Sequence, residues 1–182
     1  MSSILKVNTI QGASNTATVI KTNGGTDALT IDTSGRFNAP ANPILHANGT
    51  GSQGWLAPSG SAATITQWVT SGTTLAFNRG FSVSNGVVTV PCDGIYEVHM
   101  SMLTETNAGE YVMCRIKKGS NIYATNQIYQ LDSGRQQTTL TLSCLFQASA
   151  NDQITTTVQG GGSSPQYYMD GNYANFMVKM IG

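Results

Sequence analysis

Ser82-Val83-Ser84-Asn85-Gly86-Val87-Val88-Thr89-Val90, running on through Pro91-Cys92-Asp93-Gly94 into Ile95-Tyr96-Glu97-Val98, is the stretch whose reading decides the fold. Asn85-Gly86 supplies two residues that accept positive φ, as a type I′ turn requires, and alternating runs flank it, so a β-hairpin is predicted. The next run keeps the two-residue period: Tyr96, Val98, Met100 and Met102 fall on one side, and Glu97, His99 and Ser101 on the other. A strand half buried in this way needs partners, and the sequence on either side provides them.

Working outward, strands are predicted at 64–70, 80–84, 87–90, 95–103, 111–117, 121–130, 137–148, 153–158 and 174–181, separated by Gly, Asn, Asp and Ser. Val112, Cys114 and Ile116 alternate with Tyr111, Arg115 and Lys117. Leu140, Leu142, Cys144 and Phe146 alternate with Thr139, Thr141, Ser143 and Leu145. Two cysteines therefore point into the core. In the last strand Phe176, Val178 and Met180 face inward, leaving Met177, Lys179 and Ile181 outside. That outer row is apolar for a solvated strand, which makes Met177 and Ile181 candidates for contact with another chain. No window longer than ten residues keeps the i, i+3, i+4, i+7 pattern of a helix, so the fold class is all-β, with the strand spacing of a sandwich.

The composition changes near residue 60. The first part is thin in large apolar groups and rich in turn signals such as Asn23-Gly24-Gly25, Thr33-Ser34-Gly35, Pro40 and Pro43. At ~25 cal/mol per Å² its apolar surface does not offset ~1–2 kcal/mol of backbone ordering per residue, so it needs partner chains to order it. Two short strands are predicted there, at 17–22 and 28–32. Three chains winding them round a common axis would bury Val19, Leu29 and Ile31. The expected organisation is an N-terminal attachment and β-stalk segment at 1–47, a Gly/Ser-rich linker at 48–60 and a head domain at 61–182.

The 182 residues carry 9 Lys+Arg and 9 Asp+Glu, so charged groups are 10% of the chain and cancel. With 17 Ser, 23 Thr, 14 Asn and 11 Gln, solubility rests on hydroxyls and amides. A chain with no basic cluster offers no counterion release to nucleic acid and no polybasic face to lipid, so neither partner is expected, nor is membrane insertion. No signal-peptide core opens the sequence. Cys92, Cys114 and Cys144 are odd in number and lack C-x-x-C spacing, which predicts reduced, buried thiols rather than a disulfide framework or a zinc knuckle.

Catalytic signals are weak throughout. Gly49, Gly51 and Gly54 spell G-x-G-x-x-G, but no helix follows to receive a pyrophosphate, so they are assigned to the linker. Asn48-Gly49-Thr50 is a formal glycosylation acceptor in the same stretch. The carboxylates are scattered at turns, and neither His46 nor His99 has a ligand at metal spacing. No enzyme activity, catalytic residue, metal or cofactor is expected. One stretch has the composition of a binding loop: Gly160 through Tyr173, with Gln166, Tyr167, Tyr168 and Tyr173 as receptor-contact candidates in a Gly/Ser/Asn frame. The alternative is that Tyr167 and Tyr173 pack back onto the sheet as core or interface anchors.

Val88-Thr89-Val90-Pro91-Cys92-Asp93-Gly94-Ile95-Tyr96-Glu97-Val98 resembles the V-P-x-x-G-x-Y-x-V motif of the globular head of the complement q-subcomponent, a jelly roll shared with tumour-necrosis-factor ligands. Val112 to Gly119 resembles that family's next strand and its Lys-x-Gly turn. Leu140 through Ile154 resembles its penultimate hairpin, with Asn151 in place of a glycine, and Phe176 to Ile181 resembles its final strand. The resemblance covers about residues 77–182. It implies an antiparallel jelly-roll sandwich and a homotrimer with the last strand near the three-fold axis; the family's calcium ligands have no match here.

Residues 3–11 and 20–36 are similar to the openings of tail-fibre and other virion surface proteins of tailed bacteriophages. Together these likenesses imply a phage virion structural protein assembled in the host cytoplasm. It would be a trimeric short fibre of tail or baseplate that holds other virion proteins through its N-terminal segment and binds a host-surface receptor or glycan. The rival readings are a capsid decoration protein or head fibre that stabilises the shell and, less favoured, a polysaccharide depolymerase.

Overall fold

In a computed structural model of the chain, residues 18–21, 27–31, 33–34, 37–38, 42–50, 53–71 and 76–182 are described. The chain divides into two units, Met1–Asn42 and Pro43–Gly182.

The first unit holds an antiparallel three-stranded sheet of β1 (Thr18–Lys21), β2 (Asp27–Ile31) and β3 (Phe37–Asn38) in that order. Both predicted strands are present. Their register puts the three candidates for burial between chains on different faces. Ile20 stands opposite Leu29 and Thr18 opposite Ile31, whereas Val19 stands opposite Thr30. Cross-strand partners share a face, so Leu29 and Ile31 go with Ile20, and Val19 lies on the other side. Val19 and Ile20 are both exposed. The predicted attachment residues 3–11 and the turn 23–25 lie outside the described residues.

The second unit is a sandwich of two antiparallel sheets. One contains β9 (Ser82–Ser84), β10 (Val87–Thr89), β12 (Tyr111–Lys118), β13 (Asn121–Tyr129) and β15 (Gln153–Gly161) in the order β13-β12-β15-β10-β9, with β6 (Ala63–Thr64) also on β15. The other is built round β11 (Gly94–Thr106). Along its whole length β11 pairs with β14 (Gln136–Ala148), and on its opposite edge with β17 (Ala174–Met180) and then β16 (Gln166–Met169). β4 (Ile44–Gly49) pairs with β17, and β5 (Gln53–Leu56) with β16. β7 (Trp68–Val69) and β8 (Phe77–Arg79) both pair with β4.

The deciding hairpin forms as predicted, with Asn85 at φ 49° and Gly86 at φ 74°. Asn151 also takes positive φ, at 72°, and so fills the glycine position that it replaces. The core forms between the two sheets from the predicted inner faces. Tyr96, Val98, Met100, Met102, Leu140, Leu142, Phe146, Phe176 and Val178 meet Val88, Val112, Cys114, Ile116, Ile154 and Val158. Cys144 is partly buried and packs against this core.

The structure departs from the sequence reading in three places. Residues 48–60, expected as a linker, carry the end of β4 and all of β5, and β4 continues the sandwich's sheet from Ile44 with Leu45 and Ala47 fully buried. The predicted strand at 64–70 is two short strands. β6 joins one sheet and β7 the other, and Ile65 crosses between them with its N–H donated to Thr156 O at 2.9 Å. The stretch 160–173, expected as a loop, is largely sheet: β15 runs to Gly161 and β16 starts at Gln166.

Candidate binding surface

The pleat of β16 decides where the four receptor-contact candidates go. Successive side chains alternate across the sheet. Tyr167, opposite Thr104, points into the core and is buried, which pushes its phenol up from the ordinary value. It is therefore not available to a ligand. Tyr168, opposite Leu103, points outward. Gln166 belongs to a different cluster: its Oε1 accepts from Arg135 at 2.7 Å, Arg135 is ion-paired with Glu105, and Gln137 donates to Glu105 Oε2 at 2.8 Å. Of the four, only Tyr168 and Tyr173 come together, with ring centroids 5.5 Å apart in an edge-on arrangement.

Their meeting depends on an interruption. β16 ends at Met169 and β17 begins at Ala174, although both run along the same edge of β11. Residues 170–173 are looped out and held by Asp170, whose carbonyl accepts from Tyr173 N and Ala174 N and whose Oδ1 accepts from Asn172 N at 2.9 Å. The neighbouring row breaks at the same level, between β4 and β5. There Gly49 lies against the Met169–Asp170 backbone, and Asn48 donates its side-chain N–H to Gly171 O at 2.8 Å and to Asn175 Oδ1 at 3.3 Å. Asn48, the formal glycosylation acceptor, is thus buried with its amide nitrogen already engaged. β5 brings a residue that the sequence reading missed: the Trp55 ring lies 4.9 Å from Tyr168. An isolated tryptophan in a Gly-rich stretch was its one signal.

Below this aromatic group, the outward face of the same sheet mixes apolar and charged side chains. His99, Met177, His46 and Phe77 stand side by side on β11, β17, β4 and β8, and the His46 and Phe77 rings are 6.0 Å apart. The next row runs Leu145, Glu97, Lys179, Ile44 and Arg79, and beyond it stand Ile95 and Ile181; Leu145, Ile95 and Ile181 are exposed. Met177 and Ile181, the contact candidates of the last strand, therefore share one face with Tyr168 and Tyr173. Exposed apolar side chains also stand at the two ends of the edge strand β13, Ile122 and Tyr123 at its start and Tyr129 at its end, with Leu131 just beyond it exposed to 81%.

Three further carboxylates of the head hold backbone N–H groups. Glu110 accepts from the N–H groups of Asn107 (2.8 Å) and Ser164 (2.6 Å), Asp93 from Ala150 N, and Asp152 from Ser149 N and Lys118 Nζ, both at 3.0 Å. Among the described residues no group of three His, Cys, Asp or Glu side chains is placed to hold a metal ion. Burial pushes the Cys114 thiol up to about 12 and the Cys144 thiol up to about 11.

No protein-family model matches the chain, and no curated protein matches it. Among solved structures the chain is similar to that of Eiger TNF from S. frugiperda, with a TM-score of 0.60 and 11% sequence identity, covering 78% of this chain and 94% of that one. At that identity the likeness speaks for the fold, and the head has a TNF-like jelly-roll fold.

Proposed function

We propose that the protein is a virion surface protein of a tailed bacteriophage: a homotrimeric short fibre whose TNF-like head binds a receptor or glycan on the host. The observation that carries the trimer is the presence of two unlike sets of exposed apolar side chains on one head. One is the outward sheet face with Ile95, Leu145, Met177 and Ile181, and the other is the β13 edge with Tyr129 and Leu131. Patches of this kind mark interaction surfaces. Two different patches that meet make a head-to-tail contact, which closes into a ring. The resemblance to tumour-necrosis-factor-like heads supports a ring of three.

The virion setting is supported by the likeness of residues 3–11 and 20–36 to phage fibre openings. It is also supported by a first unit too small to cover its own Val19 and Ile20. A neutral surface of hydroxyls and amides suits adhesion to saccharides. Sedimentation equilibrium of the full chain tests the assembly: three times the 19.2 kDa protomer is expected, and a monomer at micromolar concentration overturns it. Added protein at saturation is expected to slow adsorption of the phage to its host, and an unchanged rate overturns the adhesive role. In purified virions, quantitative mass spectrometry is expected to count on the order of tens of copies, a few symmetric trimers; hundreds would make the protein a decoration of the shell instead.

A further inference from the structure

The other broad face of the sandwich, the outward side of the sheet that holds β12 and β15, carries an uncompensated positive charge. The described strands of that sheet, β6 included, contain Arg115, Lys117 and Lys118 and no Asp or Glu. Lys118 is paired with Asp152. Arg115 and Lys117 stand opposite Thr157 and Thr155 of β15 and point outward, since Cys114 and Ile116 take the buried side of the pleat. Two residues apart on one strand, they are about 7 Å from each other. Both are partly exposed, and among the described residues neither has an acidic partner.

Arg115 is also held in place. Its Nη2 donates to Gln159 Oε1 at 3.1 Å, and Gln159 Nε2 donates to Gly60 O at 2.9 Å and to the Tyr111 hydroxyl at 3.4 Å. Beside them on β13, Thr125 opposite Arg115 and Gln127 opposite Met113 are exposed and add a hydroxyl and an amide. A positioned guanidinium, a second cation along the strand and a surround of neutral hydrogen-bonding groups fit a ligand that carries both carboxylates and hydroxyls. A chain of uronic acid sugars is such a ligand. Two cations are too few to hold a nucleic acid by counterion release. An acidic peptide finds no strand edge here, because β12 is paired on both sides along its whole length.

We propose that Arg115, Lys117 and Gln159, with Thr125 and Gln127 beside them, bind a uronic-acid-containing surface polysaccharide. The proposal rests on the adhesive reading above and names its ligand class. The site lies on the opposite side of the sandwich from Leu145, Met177 and Ile181, which are assigned to subunit contact.

The full-length protein is titrated by calorimetry at low ionic strength with hexagalacturonate, hexamannuronate, maltohexaose and hexaglutamate. At least one uronate is expected to bind with Kd of about 1 mM or tighter and to weaken as salt is added. Maltohexaose and hexaglutamate are expected to bind at least about tenfold more weakly. Arg115→Gln and Lys117→Ala are each expected to weaken the uronate about tenfold, the worth of one charge-assisted hydrogen bond, whereas Lys118→Ala changes it by less than about twofold. Sedimentation of the variants is expected to match the parent protein. Absence of uronate binding overturns the site, as does equal binding of maltohexaose, which would mean that charge is not read, or of hexaglutamate, which would make this a surface for acidic peptides. Uronate binding that survives both Arg115→Gln and Lys117→Ala also overturns it, and Lys117→Ala decides alone if Arg115→Gln does not fold. Dissociation of the assembly by Lys117→Ala would make this face a subunit contact and overturn the site as well. Slowed phage adsorption without uronate binding removes the site and keeps the adhesive role, while uronate binding with unchanged adsorption keeps the site and removes that role.

Discussion

Gly49 lies so close to Met169 that a Cβ added at position 49 would sit 2.6 Å from the Met169 carbonyl carbon. The end of β4 therefore touches the backbone where β16 ends, and this contact brings Asn48 within hydrogen-bond reach of Gly171 O. The glycine acts through what it lacks. The break in two neighbouring strands, the looping out of 170–173 and the placement of Tyr173 over Tyr168 all stand on that approach.

Gly49→Ala should force this backbone apart. The atoms in its way are main-chain atoms that no rotamer change can move, so a loss of about 1–3 kcal/mol is expected, of the size seen for overpacking. Thermal unfolding measures it, and near-UV circular dichroism should show a loosened aromatic group. Gly60→Ala is the control, because nothing lies within 4 Å of its Cβ position. Equal melting temperatures for the two variants would count against the close approach.

Much of the head was legible because its long strands alternate without a break. β11, β14 and β17 each present at least two large apolar residues to the core, and a period of two leaves no choice of face. The Asn85-Gly86 turn was legible because few dipeptides accept two positive φ angles. β4 was not, since only Leu45 and Ala47 mark its inner face and its partner β17 is more than a hundred residues away in the chain. The stalk candidates show what pairing register adds to a sequence reading: Leu29 and Ile31 share a face with Ile20, and Val19, one residue away, lies on the other. The tyrosine stretch was misjudged for a related reason. Gly, Ser and Pro surround Gln166–Met169, yet β11 offers a free edge there, and pairing with it outweighs local turn preference.

Trp68 and Thr156 form a buried side-chain hydrogen bond, indole N–H to hydroxyl, at 2.9 Å. Trp68→Phe keeps a ring beside Phe176, whose centroid is 5.5 Å away, but removes the donor. The Thr156 hydroxyl, fully buried, would lose that bond, so a destabilisation of about 1–3 kcal/mol is expected. Adding Thr156→Val to Trp68→Phe should recover part of the loss. Denaturant unfolding of the single and double variants checks this, and a double variant no more stable than the single one would contradict it.

Glu110 makes part of the head acid-sensitive. Burial pushes its carboxyl up, but four hydrogen bonds from the backbone and side chains of Asn107 and Ser164 outweigh that and hold it below the ordinary value. A lowered pKa means that Glu110 contributes stability above the unfolded-state carboxylate pKa of about 4.3, and that the contribution fades as pH falls through the folded value. Glu110→Gln should therefore be less stable than the parent protein at pH 7, with the gap narrowing in acid. Hydrogen exchange at Asn107 and Ser164, measured against pH in both proteins, should locate the loss in these two turns. A gap that widens in acid would reverse the sign and refute the role.

The three thiols should separate by burial. Cys114 is fully buried and its thiol is pushed up to about 12 by desolvation, against a small downward pull from Arg115; Cys144 is partly buried and stands at about 11. Since the thiolate is the reacting form, both are almost wholly protonated at pH 8 and poor nucleophiles. Cys92 is only partly covered, with its sulfur 3.5 Å from the Tyr96 hydroxyl and 3.7 Å from Met180 Sδ. Brief treatment of the native protein with iodoacetamide at pH 8, followed by peptide mapping, should find the label at Cys92 first and reach Cys114 only after denaturation. Labelling of Cys114 as fast as Cys92 would mean that the space between the two sheets opens to solvent on the timescale of the reagent, and that the packing of β12 against β11 is far looser than its buried side chains imply.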